Sequence, residues 1–448
     1  MKLWDKNIRT EKDMLKFTTG KDPIFDRQLA PYDILGSMAH VIMLSDIGLL
    51  KKTEAQTLIA ELNTLYTGAV EKGLKLDEGV EDIHSQVEMM LTEKLGDLGK
   101  KIHTGRSRND QVLVDLKLYM REELSRLAGM VENLVTILLE RSEAYKDVLM
   151  PGYTHFQVAM PSSFGLWFGA YAEALTDDLT FLSGVYRTIN QNPLGSAAGY
   201  GSSFPINREL TTRLLGFDQM HVNVINAQLN RGKAEWMVAS GMASVASTIA
   251  RLAMDSVLYM NQNFGFITLP DALTTGSSIM PHKKNPDVLE LVRARCNRLI
   301  QLPSSISAVT TNLPSGYHRD FQILKEIIFP AFEEVGEILS MVGHVMQSIS
   351  VNREILDDPK YHYLFTVEEV NRKVMEGMPF RDAYKEVGKE IEKGSYRADM
   401  NIKHTHTGSI GNPGTEVIQA KLDDVMTGFK AINIEQLAGK LATFFEAQ

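Results

Sequence analysis

Residues 112–146 contain no proline and only one glycine, Gly129, which is unusual for so long a stretch. Apolar side chains recur there at spacings of three and four, at Leu113, Leu116, Met120, Leu124, Leu127, Val131, Leu134 and Leu138. This period places them on one face of an α-helix. At 1.5 Å per residue the helix would be about 50 Å long. Helices of this length normally belong to bundles or coiled coils, so the segment restricts the chain to a fold built on long helices.

Strand signals are nearly absent elsewhere, and helical periodicity continues. In the middle of the chain it predicts further long helices over 162–190, 226–263, 287–311 and 320–350. Pro303 and Pro330 interrupt the last two, where we expect kinks. Shorter helices are predicted over 33–50, 53–73, 79–96, 366–377, 380–393, 414–427 and 433–446. The predicted fold class is therefore all-α, with an up-down bundle at residues 109–352 between smaller helical domains at 1–108 and 353–448.

Composition narrows the class of protein without identifying it. The chain has 448 residues, 44% hydrophobic and 23% charged, which is ordinary for a globular protein. A formal net charge of −9 argues against general binding to nucleic acid or anionic membranes. We find neither a signal peptide nor a run of about 18 apolar residues, so we expect no membrane span. The single cysteine, Cys296, cannot form an internal disulfide and is expected to be partly buried, and cytoplasmic location is the default.

One loop has the composition of an anion-binding segment. Residues 276–286 read Gly-Ser-Ser-Ile-Met-Pro-His-Lys-Lys-Asn-Pro. The glycine permits a close backbone approach, the serines offer donors, and the lysines supply positive charge. Asn285 and Pro286 suit the cap and first position of a helix beginning at Asp287, whose positive end would face the anion. By spacing alone, a solvated turn before a helix explains the same residues.

The motif Gly-Ser-Ser-x-Met-Pro-x-Lys-x-Asn in this loop resembles the shared loop of the fumarase/aspartase superfamily. Five more segments resemble its argininosuccinate lyase and δ-crystallin branch, at 81–84, 103–111, 151–157, 192–196 and 377–383. Six motifs in family order are very improbable by chance. The resemblance implies a central long-helix bundle with two smaller helical domains, and a homotetramer whose active sites combine three subunits. It also implies β-elimination of argininosuccinate to arginine and fumarate, without metal or organic cofactor.

Such an elimination needs a base, donors around one carboxylate, and an acid for the leaving nitrogen. The resemblance assigns the base to Ser277, with Ser278 as the alternative. It places Lys283 and Asn285 around the carboxylate whose negative charge grows in the transition state. It gives proton transfer to His155 and a substrate hydrogen bond to Thr154.

The resemblance also assigns substrate binding outside the loop. Ser107, Arg108 and Asn109 are expected to bind substrate carboxylates at the positive end of the long helix, and arginine suits this because its guanidinium pairs bidentately with a carboxylate. His84 is a further substrate-side residue. Contacts to the amino-acid end of the substrate are assigned to Tyr317, Gln322 and Lys325.

Simpler interpretations exist for several of these residues. Ser107 and Asp110 fit a helix capping box, His84 fits a packing histidine, and Gln322 with Lys325 fits a polar helix face. His404 and His406 lack neighbouring ligands at metal-binding spacing, so we expect no metal there.

Two other functions remain open: another amine-releasing fumarate lyase such as adenylosuccinate lyase, or a non-catalytic crystallin-like protein. Three segments depart from the family pattern. Trp4 is not followed by Gly-Gly-Arg-Phe, residues 21–26 replace a substrate-contacting serine-rich stretch, and residues 229–232 read Leu-Asn-Arg-Gly in place of Ser-Asp-Arg-Asp.

Overall fold

A computed structural model describes residues 12–77, 79–402, 404–430 and 433–446. The protein is 66% helical, which confirms the predicted all-α class. The α-helices of the described residues are, in chain order, α1 (Lys12–Thr19), α2 (Asp22–Asp46), α3 (Lys52–Lys72), α4 (Ile83–Leu95), α5 (Asp97–Lys100), α6 (Arg108–Ala144), α7 (Phe164–Ile189), α8 (Arg208–Leu214), α9 (Val224–Leu229), α10 (Lys233–Met260), α11 (Asp287–Leu299), α12 (Leu302–Thr310), α13 (Leu324–Ser348), α14 (Thr366–Met375), α15 (Phe380–Glu392), α16 (Thr415–Met426) and α17 (Ile434–Ala442). Single turns of 3₁₀-helix occur at Lys101–His103, Asp271–Leu273 and Ile355–Asp357, with longer ones at Arg319–Ile323 and Pro359–Phe365.

The longest helix, α6, has the cap and the buried apolar face that its sequence predicts. Ser107 caps it and forms a capping box with Asp110, as predicted. Its apolar face is buried, with Leu124 and Val131 fully enclosed. The helix packs against α2, α7 and α13, so it forms the axis of the bundle.

Two predicted helices are divided in the structure. The segment 226–263 is broken between α9 and α10, where Gly232 has φ +79° and where a Cβ atom would lie 2.7 Å from the Thr310 side chain. The segment 287–311 breaks before Pro303, the expected place. By contrast, Pro330 lies inside the continuous helix α13. Helix α2 is longer than predicted: it begins at Asp22, eleven residues before the predicted start, and contains Pro31.

The sequence analysis did not foresee an antiparallel hairpin between α6 and α7. Strands β1 (Leu149–Thr154) and β2 (Gln157–Ser163) pair with an irregularity at Pro151. The remaining strands have two residues each: β3 (Gln191–Asn192), β4 (Gln219–Met220), β5 (Ile267–Thr268), β6 (Thr275–Gly276), β7 (Lys284–Asn285) and β8 (Ser350–Val351). Of these, β6 pairs with β7 at the base of the loop 277–283.

One large core joins the central bundle to the N-terminal helices. Near the C-terminus α16 packs against α6 and α7, and α17 against α2 and α3, so both belong to this core. The residues Val370, Ala383, Val387 and Tyr396 form a separate small core. The domain divisions at 108 and 352 stay predictions.

Three smaller expectations can be compared with the structure. Cys296 is fully buried rather than partly buried. Helix α10 is long and apolar enough to cross a membrane by length and composition alone, but 56% of its most apolar window is buried inside the protein, as in the core helix of a bundle. Trp4, one of the departures from the family pattern, lies outside the described residues.

Candidate active site

The N-terminus of α6 forms one wall of a surface cavity. The Ser107 hydroxyl accepts a hydrogen bond from the Asn109 N–H (3.2 Å), and the Asp110 carboxylate accepts one from the Ser107 N–H (2.9 Å). The second Asp110 oxygen accepts from the backbone N–H groups of Gly195 and Ala197. These bonds fix the first turn of a long helix, whose positive end favours an anion. The capping role and the substrate-binding role of Ser107 are therefore compatible.

His84, at the start of α4, lies between two buried carboxylates. Its Nδ1 atom is 2.9 Å from Asp33 Oδ1 and 3.5 Å from Asp115 Oδ2. Burial disfavours the charged ring, but Asp33 and Asp115 outweigh burial and raise the pKa of His84 to about 9. Burial together with the charge of Asp33 raises the pKa of Asp115 well above its ordinary value. His84 is thus held as a cation that can donate from Nε2.

Arg108 is already paired within the chain. Its guanidinium donates to Asp82 (2.9 Å) and to the Ser85 hydroxyl (2.7 Å), both at the start of α4. The prediction that Arg108 binds a substrate carboxylate is compatible with its place on the cavity wall. A bidentate contact would require the guanidinium to leave Asp82 or to use its remaining N–H groups.

Other residues that line the cavity come from α13 and the start of α2. Lys325 Nζ lies 2.7 Å from Asp22 and 2.5 Å from Asp26, and its side chain is only 5% exposed. Burial raises the pKa of Asp22 to about 6, although Lys325 opposes the shift. Burial opposes the charge of Lys325, but the two carboxylates outweigh burial and raise its pKa. Lys325 is therefore a buried ion-pair residue, not part of an exposed polar helix face.

Gln322 also faces the N-terminal segment. Its amide nitrogen donates to the backbone carbonyls of Thr18 and Thr19, both at 3.0 Å. Tyr317 lies on the same side of the cavity and is 40% exposed. Gln322 thus holds the junction between α1 and α2 against the cavity.

Seven of the predicted residues line this one cavity of about 410 Å³: His84, Ser107, Arg108, Asn109, Tyr317, Gln322 and Lys325. They come from α4, from α6 and its cap residue, from the 3₁₀ segment Arg319–Ile323 and the residues just before it, and from α13. The cavity is therefore a shared feature of residues that are up to 241 positions apart in the chain, from His84 to Lys325.

The residues of the loop 276–286 do not line the cavity. Ser277 is half-buried, and its hydroxyl oxygen accepts hydrogen bonds from the N–H groups of Met280 (3.1 Å) and Ile279 (3.4 Å). Lys283 is exposed, and Lys284 pairs with Asp271. Helix α11 begins at Asp287 as predicted, but its cap position is Pro286. The predicted capping role of Asn285 is wrong, because this residue pairs in β7 and its side chain lies 3.4 Å from the Gly276 carbonyl.

Thr154 and His155 lie at the tip of the β1–β2 hairpin, also off the cavity. His155 and Phe156 have φ of 54° and 58°, a left-handed conformation that is uncommon for residues other than glycine. Phe156 is 75% exposed. A strained, exposed tip of this kind is typical of a functional position rather than a packing one.

Sequence analysis missed several cavity residues. Asp22, Asp26 and Arg231 line the cavity, and all three lie in segments that depart from the family pattern. Arg231 pairs with Glu235 at 2.8 Å, and both side chains are 3% exposed. The departure at residues 21–26 was a usable signal, because this short segment carries two carboxylates, Asp22 and Asp26.

Among the described residues, His404 and His406 do not belong to a group of three ligand atoms that lie close enough to hold a metal ion. His404 and His406 stack at 5.8 Å, and His404 Nε2 lies 3.3 Å from Glu368. Asp33, His84 and Asp115 do bring three ligand atoms within 4.8 Å of one another. The cationic ring of His84 already supplies positive charge between those two carboxylates.

Comparison with solved structures gives the same fold. The chain is similar to an EDDS lyase in complex with formate, with a TM-score of 0.75 and 23% identity over 98% of this chain and 95% of that one. It also resembles a fumarate lyase:delta crystallin from Brucella melitensis bound to cobalt, with a TM-score of 0.68 and 16% identity over 90% and 91% of the two chains. At these identities the likeness establishes the all-helical fold and no more.

Sequence comparison identifies the family within this fold. The profile of a family described as "Lyase" matches residues 7–300. The argininosuccinate lyase of Bacteroides thetaiotaomicron is 58% identical over 97% of this chain and 98% of that protein, and that of Phocaeicola vulgatus is 57% identical over the same shares. The argininosuccinate lyase of Thermotoga neapolitana is 39% identical over 87% of this chain and 98% of that protein. The chain belongs to the argininosuccinate lyase family.

Proposed function

We propose that this protein eliminates fumarate from L-argininosuccinate and releases L-arginine, as part of arginine biosynthesis in the cytoplasm. The names of its bacterial relatives support this reaction. The observation that carries the proposal is the cavity, because one pocket collects seven residues that were assigned to substrate binding from sequence alone.

Two groups of residues in the cavity suit the two ends of the substrate. His84, Asn109 and the first turn of α6 offer donors and positive charge for the dicarboxylate end. Lys325 and the two carboxylates beside it offer charges of both signs for the amino-acid end. A leaving group without an amino-acid end would make no use of these charges, which pair with one another in the absence of a ligand.

The proposed elimination proceeds in two steps. Ser277, as an alkoxide, removes a proton from the methylene carbon of the succinyl group. The electron pair moves into the carboxylate attached to that carbon. Lys283 and Asn285 stabilise the growing negative charge. The pair then returns to form the carbon–carbon double bond, the C–N bond breaks, and the leaving nitrogen takes a proton supplied by His155.

These groups lie off the cavity in a single chain, which supports an active site shared between subunits of a homotetramer. The hairpin with His155 and the loop with Ser277 both expose apolar side chains, Phe156 at 75% and Ile279 at 83%. Long central helices expose others, including Trp236 at 43% and Leu291 at 62%. Exposed apolar side chains on bundle helices suit helix packing between subunits.

The direct test follows fumarate absorbance with argininosuccinate and adenylosuccinate offered separately to the purified protein. We expect release from argininosuccinate only. Preference for adenylosuccinate would assign the other branch of the family, and release from neither would indicate a non-catalytic protein.

A further inference from the structure

The junction of α1 and α2 closes the amino-acid end of the cavity with two carboxylates. Asp22 lies in the first turn of α2, and Asp26 lies one turn later on the same face. Both contact Lys325 Nζ, at 2.7 and 2.5 Å. This end of the cavity therefore holds two negative groups against one positive group.

The two carboxylates differ in how many of their oxygens have hydrogen-bond or ion-pair partners. Asp26 is 3% exposed and uses both oxygens, one for Lys325 and one for the N–H of Ile83 at 3.3 Å. Asp22 is 16% exposed and contacts Lys325, with no further hydrogen bond to the described residues. Asp22 is thus the carboxylate with an oxygen available to a ligand.

Neighbouring cations do not neutralise this excess. Arg231 is paired with Glu235 at 2.8 Å, and Arg319 with Glu81 at 2.7 Å. Lys21 next to Asp22 is paired with Glu326 at 3.0 Å. Each of these cations contacts an acid of its own, and one of the three, Arg231, also attracts Asp22, less strongly than Lys325 does. Among the described residues Lys325 is the cation in direct contact with Asp22, and it is shared with Asp26.

We propose that Asp22 is a specificity-determining residue that binds the α-ammonium group of the amino acid released by the enzyme. The inference rests on the proposed function and adds the recognition of one group. Lys325 pairs with the α-carboxylate of the same amino acid while Asp26 remains its partner. The carboxylate of Asp22 can accept a charge-assisted hydrogen bond from a cationic amino group, which is stronger than a bond between neutral groups.

The test compares Asp22→Asn, which keeps the shape and removes the charge, with Asp22→Glu, which keeps the charge. Each is assayed with argininosuccinate and with its Nα-acetylated form, which lacks the ammonium group. We expect Asp22→Asn to lose about 10- to 100-fold in kcat/KM for argininosuccinate and less than about threefold for the acetylated form. Asp22→Glu should recover part of the loss. Asp13→Asn, at an exposed acid on α1, is the matched control and should change neither.

Equal losses for both substrates would overturn the inference, because a structural role of Asp22 does not distinguish them. Calorimetry with L-arginine and Nα-acetyl-L-arginine gives a readout that does not need turnover. We expect Asp22→Asn to weaken arginine about tenfold or more and to leave the acetylated ligand unchanged. If the wild-type protein releases no fumarate from argininosuccinate yet shows this binding pattern, the proposed reaction fails and the role of Asp22 stands. If turnover is normal and the pattern is absent, only the role of Asp22 fails.

Discussion

Ser277 and Ser278 have the same side chain, but their surroundings differ. The Ser277 oxygen accepts two backbone N–H groups, from Ile279 and Met280, while Ser278 is exposed. Donors of this kind stabilise an alkoxide, which a serine must become before it can act as a base. We therefore expect Ser277→Ala to lower kcat at least about 100-fold and Ser278→Ala to lower it less than about threefold. Steady-state kinetics of both variants decides the matter, and the reverse pattern would move the base to Ser278.

His84 gives the protein a pH-dependent stability. Its pKa is about 9 in the folded protein and near 6.5 when unfolded, so the folded state binds the proton more tightly. The stabilisation is fully present below pH 6.5 and is lost as the pH rises toward 9, with an upper limit of roughly 3 kcal/mol. The melting temperature of His84→Gln should fall less between pH 7 and 9 than that of the wild type. Parallel curves for the two proteins would contradict the pairing with Asp33 and Asp115.

Several residues of the cavity could be predicted to lie together because they sit in a short contiguous motif at a helix start. Ser107, Arg108 and Asn109 are of this kind, and the structure places them on the cavity. The partners of Lys325 could not be predicted from spacing, because Asp26 is 299 residues away in the chain. A single sequence carries no signal for a contact over that distance.

At the scale of the elements, the break between α9 and α10 depends on Gly232. Its φ of +79° disfavours any side chain, and a Cβ atom would meet Thr310 at 2.7 Å. We expect Gly232→Ala to lower the free energy of unfolding by about 1–3 kcal/mol. Gly184→Ala, inside α7 with open space around it, is the control and should raise it by up to about 1 kcal/mol. Chemical denaturation measures both, and equal effects would show that the break is not held by this glycine.

Long helices were the most predictable elements, because a period sustained over many residues averages out local exceptions. The α6 helix was found within a few residues of its ends. The β1–β2 hairpin escaped detection because its Pro151 and Gly152 read as a turn, and its pairing depends on tertiary contacts. The helix break at Gly232 escaped because one glycine among small residues does not interrupt an apolar period.

At the scale of the whole molecule, the proposed reaction requires subunits to associate. The cavity holds seven of the residues predicted to bind substrate, while Ser277 and His155 lie in other parts of the chain, off the cavity. A complete site then needs groups from more than one subunit, and a subunit defective at one position can still supply the others. This arrangement was predicted from resemblance alone, because no local sequence pattern reports which subunit a loop serves.

The most direct measurement mixes two variants that we expect to lose most of their activity when alone, Asn109→Leu in the cavity and Ser277→Ala in the loop, by unfolding and refolding them together. Light scattering should first give a mass near four times 50.1 kDa for each variant and for the mixture. We expect the mixture to release fumarate from argininosuccinate well above the sum of the separate variants, because some mixed sites receive an intact cavity and an intact loop. A mixture of confirmed tetramers with no recovered activity would contradict the shared site.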